Sequence, residues 1–217
     1  FATSTNQAPR FAEKGGEAVA RRLRLSLKLL ADVGLIGFPN AGKSTLISRI
    51  SAAKPKVADY PFTTLTPNLG VGRRGHDDGF VVADIPGLIE GASDGAGLGH
   101  RFLKHVERVA ALLFVLAEGY EEDRSPAQDY RVLEAELSKF ADQFADKPRV
   151  LVLNKADLPD THEHVEAVKT IAEKEGHPFF LISAVTGEGL DPLLHALADV
   201  VKATRKARAA EKADASA

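Results

Sequence analysis

Two short segments hold residue types that could do phosphate and base chemistry. They are Gly37-Phe38-Pro39-Asn40-Ala41-Gly42-Lys43-Ser44, continued by Thr45, and Asn154-Lys155-Ala156-Asp157. The first fits G-x-x-x-x-G-K-S/T, in which backbone N–H groups wrap phosphates, the lysine reaches the β/γ oxygens and the hydroxyl binds Mg²⁺. In the second, the Asp157 carboxylate can accept from guanine N1–H and N2–H₂, a donor pair that adenine lacks. Lys155 would lie along the base and Asn154 would tie loops together. In this order the two segments point to a guanine nucleotide, GTP in particular.

Alone, the first pattern could be a glycine-rich turn opening an ordinary helix. Its setting argues for the anion site. Val33-Gly34-Leu35-Ile36 has buried-strand character and Thr45 to Ile50 continues as a helix, so strand, glycine loop and helix N-terminus follow in the required order.

Three further segments join them. In Asp84-Ile85-Pro86-Gly87 a carboxylate at a strand end can hold Mg²⁺ through a water, and Gly87 lets its backbone N–H approach the γ-phosphate. By itself that quartet is also a common strand and Pro-Gly turn. In Asp59-Tyr60-Pro61-Phe62-Thr63-Thr64 a threonine can place its hydroxyl on Mg²⁺ and its N–H on the γ-phosphate, so that losing the phosphate releases the segment. The candidate contacts there run over Phe62, Thr63, Thr64, Leu65 and Thr66. Thr63 and Thr64 could equally end a turn set by two prolines; the flanking motifs favour the functional role. Ser183-Ala184-Val185 could offer backbone N–H groups to guanine O6. The candidate catalytic set is Lys43, Thr64 and Gly87, and the candidate Mg²⁺ ligands are Ser44, Thr64 and Asp84.

Leu88 departs from common switch GTPases, which carry a glutamine directly after aspartate-x-x-glycine to orient the attacking water. Leucine cannot do this, so intrinsic hydrolysis should be slow, on the order of 10⁻⁴ s⁻¹. No side chain of the motifs is an obvious general base. The glycine-rich run from Gly91 to Gly99 could remodel between nucleotide states or be a loop. His162 and His164 stand two apart and would not share a helix face, which argues against a metal pair. His100 and His105 suit a solvated helix face better than a partner contact.

The elements around these motifs are those of an α/β domain. The 217 residues carry a formal net charge of −2, which excludes a global basic field for coating nucleic acid. Cysteine is absent, which removes disulfides and thiolate metal sites. No apolar run reaches the ~20 residues of a membrane span, and the start lacks a signal-peptide core, so a cytoplasmic protein is expected. Methionine is absent even at position 1, the mark expected of a piece of something longer.

Leu23, Leu25, Leu27 and Leu29 alternate with polar residues as a half-buried strand would. From residue 31, apolar runs at 80–83, 111–116, 149–153 and 179–182 suit a parallel sheet covered on both faces. Residues 68–72 could pair with 80–84 as an antiparallel edge hairpin. Ser125-Pro126-Ala127-Gln128 reads as a capping box opening a helix striped by Tyr130, Leu133, Leu137, Phe140 and Phe144. Asp160 can cap a helix closed by Gly176, and Asp191-Pro192 opens the last one. The tail after about residue 205 lacks an apolar stripe and should fray. The sum is a doubly wound P-loop NTPase fold, with ligands beyond the carboxyl ends of the strands.

With these motifs in place, the chain resembles the Obg (CgtA) GTPases over roughly residues 6–200. The resemblance rests on the run from Leu29 to Gly34, on Gly37 to Ser44, on Ala52-Ala53-Lys54-Pro55-Lys56, on Asp59 to Thr64, on Asp84 to Gly99 and on Gly99-His100-Arg101-Phe102-Leu103. It implies a Ras-like G domain with a mostly parallel six-stranded sheet and one antiparallel edge strand. It also implies GTP and GDP binding with Mg²⁺ on Ser44 and Thr64, slow turnover, and a role in large ribosomal subunit assembly and growth or stress control. The partners implied are guanine nucleotides and, through the full-length protein, the large subunit with its rRNA and proteins; a monomer is expected. Asn40 matches the asparagine of relatives activated by K⁺. The implied division is 1–30 as the end of a preceding domain and linker, 31–205 as the G domain and 206–217 as a charged tail.

Two other readings remain open. A non-hydrolysing guanine-nucleotide sensor that docks to a partner is compatible with Leu88. A nucleotide kinase would need an arginine-rich lid and a second base pocket, neither of which is visible.

Overall fold

A computed structural model describes residues 31–51, 56–57, 68–74, 78–85, 109–119, 124–138, 144 and 146–214, with the dipeptides 7–8 and 15–16. The predicted strand over residues 23–29 and Phe140 lie outside the described residues, as do positions 58–67 and 86–108.

The strands are β1 (Val33–Ile36), β2 (Lys56–Val57), β3 (Asn68–Arg74), β4 (Asp78–Asp84), β5 (Ala111–Leu116), β6 (Arg149–Leu153) and β7 (Phe179–Leu181). They form one sheet in the order β2-β3-β4-β1-β5-β6-β7. The four pairings from β4 across to β7 are parallel, whereas β3 is antiparallel to both its neighbours. Every residue of β1 and β5 is buried, which is why these strands read as unbroken apolar runs rather than as alternation. The predicted hairpin is present, with Leu69 opposite Ala83 and Gly72 opposite Phe80. The mostly parallel sheet follows expectation with one addition. The strand β2, two residues long, joins β3, so the antiparallel strand is not outermost. A segment that short leaves no periodic pattern to read.

Among the described residues, four helices cover the sheet: α1 (Lys43–Ile50), α2 (Pro126–Ser138), α3 (Val165–Glu175) and α4 (Leu190–Asp214). The strand period of two sorts β5 cleanly between the faces. Leu112, Phe114 and Leu116 pack with Tyr130, Leu133 and Leu137 of α2 and with Val168 and Ala172 of α3. Leu113 and Val115 pack with Leu46 and Ile47 of α1 and with Leu193, Leu197 and Val201 of α4. The rings of Phe114 and Tyr130 meet edge to face at 5.1 Å between centroids.

The helix ends follow local chemistry. At the start of α2, Ser125 N donates to Gln128 Oε1 at 2.9 Å and Gln128 N to Ser125 Oγ at 3.3 Å, a reciprocal capping box. Gly176, at φ 72°, closes α3 as expected. Asp160 does not cap α3. A six-residue 3-10 turn, Pro159–His164, runs directly into the helix instead, with Pro159 at its first position. The tail also departs from expectation, because α4 continues to Asp214. Arg205 forks onto Asp32 at 3.2 and 2.8 Å, and Arg208 Nη2 donates to the Val109 carbonyl at 2.9 Å, so contacts beyond the local stripe hold this end.

Candidate nucleotide site

The carboxyl ends of β1, β4, β5 and β6, with the turn after β7, carry every described motif residue. The strand order reverses at β1, between β4 and β5, and in folds of this kind ligands bind beyond the carboxyl ends of the strands at such a point. The loop 37–42 leaves β1 there and turns into α1. Asn40 is left-handed at φ 63°, and Gly42 follows at φ 93°. At Gly42 a Cβ would also collide with the side-chain amide of Asn154, so only glycine fits. No acidic side chain stands in the first turn of α1, leaving the positive end of the helix unneutralised. Pro39, Asn40, Ser44 and Thr45 are exposed, Ala41 is buried and Phe38 is half-buried.

Lys43 folds back over this loop, its Nζ donating to the Gly37 carbonyl at 2.8 Å and the Phe38 carbonyl at 2.9 Å. Burial lowers its pKa, against the opposing pull of Asp84. Burial likewise raises the Asp84 carboxyl, while Lys43 and the Ile85 N–H favour its charged form. Asp84 Oδ1 is buried with no hydrogen-bond partner among the described residues. An orphaned carboxylate oxygen beside a phosphate-type loop is chemically suited to a hard cation or its water. The residues present fit Mg²⁺.

Asn154 joins two loops. Its Nδ2 donates to the Ala41 carbonyl at 2.8 Å and its Oδ1 accepts from Ala184 N at 3.0 Å. Lys155 adopts φ 68°, and its Nζ donates to the Glu118 carbonyl at 3.1 Å. Ala156 N donates to the Ile182 carbonyl at 2.9 Å. Ser183, fully buried, donates its hydroxyl to Asp157 Oδ1. Val185 is 68 % exposed at the outer lip of this cluster, an apolar surface that a flat base could cover.

The structure thus brings residues 37–45, Asp84, Ile85, 154–157 and 183–185 to one rim. Phe62, Thr63, Thr64, Leu65, Thr66, Pro86, Gly87, Leu88, the run 91–99, His100 and His105 lie outside the described residues. Several supporting residues were not anticipated. The Arg124 guanidinium lies 3.9 Å from the centroid of the Phe38 ring while bonding Asp129 at 2.8 Å. Glu118 supplies the carbonyl that accepts from Lys155. His162 contacts the Ala156 carbonyl at 3.0 Å through Nε2. None of these residues belongs to a motif, and only their three-dimensional neighbours reveal them.

Fold and rim together define a P-loop domain with a G-protein arrangement. A family model described as 50S ribosome-binding GTPase matches residues 32–155. The chain is 54% identical over 202 residues to a protein of Myxococcus xanthus named GTPase Obg, covering 93% of this chain and 42% of that one. A GTPase Obg of Solibacter usitatus is 55% identical over 203 residues, covering 94% and 60%. The chain belongs to the 50S ribosome-binding GTPase family and, within it, to the Obg GTPases. It spans about two-fifths to three-fifths of the length of these relatives.

Among solved structures, the G domain of the T. maritima FeoB iron transporter superposes with a TM-score of 0.57 at 20% identity, covering 78% of this chain and 98% of that one. A mutant S. thermophilus NFeoB bound to GDP gives a TM-score of 0.58 at 19% identity, covering 81% and 64%. At that identity the likeness concerns the fold.

Proposed function

We propose that this domain binds GTP and GDP with Mg²⁺ and slowly hydrolyses GTP to GDP and phosphate, as the switch of a longer protein. The observation that carries this reading is the Asn154 bridge, which fixes the distance between a phosphate loop and a base-reading loop. Asp157, aimed by Ser183, accepts from guanine N1–H and N2–H₂. The Ser183 and Ala184 N–H groups already donate to the Glu188 carbonyl and to Asn154 Oδ1, so Val185 supplies the N–H for O6, and Lys155 lies along the ring. A site built this way rejects adenine by ~10⁴ or more, because its polar groups would be left unpaired.

Lys43 moves from the Gly37 and Phe38 carbonyls to the β/γ oxygens, exchanging two neutral acceptors for charged ones. Ser44, Thr64 and Asp84 would hold Mg²⁺, which supplies charge neutralisation on the transferring phosphoryl group. The Gly87 N–H would meet the γ-phosphate. Water is the nucleophile, and Leu88 cannot orient it. A partner or ion supplying the missing charge could lower the barrier by up to ~7 kcal/mol. Asn40, exposed beside the phosphate loop, is the candidate contact for K⁺.

Within the longer protein, the reading extends to cytoplasmic work in large ribosomal subunit assembly, with rRNA and ribosomal proteins as partners. The family match and the Obg relatives support it. Among the described residues no helix is long and apolar enough to cross a membrane. The proposed division keeps 31–205 as the G domain, with 1–30 continuing a preceding domain.

The test is nucleotide binding and single-turnover hydrolysis. GDP and GTP should bind with Mg²⁺ far more tightly than ATP, and excess protein should convert GTP to GDP slowly. ATP displacing labelled GDP as well as GTP does would reject the Asp157 assignment. Binding without any product, with and without ribosomes, would favour the sensor reading that Leu88 allows.

A further inference from the structure

We propose that Arg49, on the distal half of α1, is a positioning residue for the carboxylate that reads the base. The inference rests on the guanine reading above and deepens it. Arg49 Nη2 donates to the Thr186 carbonyl at 3.0 Å. Thr186 N donates to Ser183 Oγ at 3.1 Å, and Ser183 Oγ donates onward to Asp157 Oδ1.

A serine hydroxyl has one proton and accepts through its lone pairs. With the Thr186 N–H occupying the acceptor side, the proton is directed to Asp157. One carboxylate position is then fixed, and the remaining lone pairs are available to a base. Ser183 is fully buried, so the carboxylate inherits a rigid partner. Thr186 is the exposed link between Ser183 and the helix, and Arg49 holds its carbonyl.

Gly187 supports the assignment independently. It is left-handed at φ 93°, and a Cβ there would stand 3.1 Å from Arg49 Nη2. A larger residue would be strained by its left-handed backbone and would displace the guanidinium by a few tenths of an ångström. The same helix whose first turn faces the phosphates thus also restrains the loop that aims Asp157.

The experiment measures GDP, IDP and XDP affinities of the whole chain with Mg²⁺. Inosine lacks the N2 amine, so the GDP/IDP ratio reports the second bond to Asp157. Arg49→Met keeps the aliphatic stem and removes the donors. It should weaken GDP about 5-fold and IDP much less, shrinking the ratio by about 3-fold or more. Arg49→Lys should retain more of the preference, and Gly187→Ala, which strains the turn and shifts the guanidinium slightly, should lower the ratio in the same direction. Equal weakening of GDP and IDP, or an unchanged ratio in both Arg49→Met and Gly187→Ala, would overturn the proposal. Should Arg49→Met fail to fold, Gly187→Ala decides alone. A wild-type chain that does not distinguish GDP from XDP would overturn the guanine reading itself, and Arg49 with it.

Discussion

The side-chain amide of Asn154 donates to the carbonyl of Ala41 at 2.8 Å, and its oxygen accepts from Ala184 N at 3.0 Å. One buried side chain therefore holds three loops: its own after β6, the phosphate loop after β1 and the turn after β7. The bonds that set the spacing of these loops lie within the protein itself. Preorganisation of this kind reduces the ordering cost of binding.

Asn154→Ala should accordingly damage binding more than its two bonds suggest. It leaves a buried carbonyl and a buried N–H unpaired, each costing about 1–3 kcal/mol. We expect GDP affinity to fall by at least ~10-fold, with a fall of several degrees in the melting temperature of the nucleotide-free protein. Calorimetric titration beside a thermal melt checks both. Unchanged affinity would mean that the loops keep their spacing without this bridge.

Asp84 should show the opposite balance between stability and function. Its Oδ1 has no partner among the described residues, and burial raises its pKa. The folded state without cation therefore bears the cost of an incompletely satisfied carboxylate. Asp84→Asn removes the charge at constant volume and should raise the melting temperature of the nucleotide-free chain, by an amount corresponding to about 1 kcal/mol. The same variant should lose most of the Mg²⁺ dependence of GTP binding. A melting temperature that falls would show that Lys43 compensates the carboxylate fully.

Much of this arrangement is legible in the residues, and the illegible part has a common cause. The capping box at Ser125 and Gln128 and the unbroken apolar run of β5 are local signals, and both appear where expected. The Asn154 link follows from the motif because the chemistry requires a tie between loops. The continuation of α4 to Asp214 is not legible, because Arg205 and Asp32 lie 173 residues apart. Arg124 over Phe38 and Arg49 on Thr186 are hidden in the same way. Asp160 misled for a different reason: the chain enters α3 through a 3-10 turn, where the carboxylate has no capping position.

His177, immediately after the Gly176 turn, gives the domain an acid sensitivity of predictable sign. Burial lowers its pKa from 6.5, and Arg149 acts in the same direction, while Glu175 and Glu134 oppose. The Glu175 contact at 3.5 Å would favour the imidazolium, but that carboxylate already accepts the Tyr130 hydroxyl, and burial prevails. A histidine held neutral by folding contributes no penalty above pH 6.5. As pH falls below that value the unfolded chain takes up the proton first, and stability declines until the folded pKa is passed. The melting temperature should drop between pH 7.5 and pH 5, and His177→Gln should flatten part of that slope. An identical slope in the variant would assign the sensitivity elsewhere.

The end of α4 provides a test of stability separate from nucleotide chemistry. Arg205 meets Asp32 through two nitrogens, and Asp32 Oδ2 also accepts Val81 N at 2.9 Å, so one carboxylate joins the helix to the start of β1 and to β4. Arg205 is half exposed, which limits the ion pair to about 0.5–1 kcal/mol despite its bidentate geometry. Asp32→Ala should cost more than Arg205→Ala, because it also abandons a strand N–H. In a double-mutant cycle the two should couple by less than the Asp32 effect alone. GDP affinity should stay within about 2-fold of wild type in every variant, since Asp32 lies at the amino end of β1, opposite the nucleotide rim. A large affinity loss in Arg205→Ala with an unchanged melting temperature would tie this end of the sheet to nucleotide binding and contradict that separation.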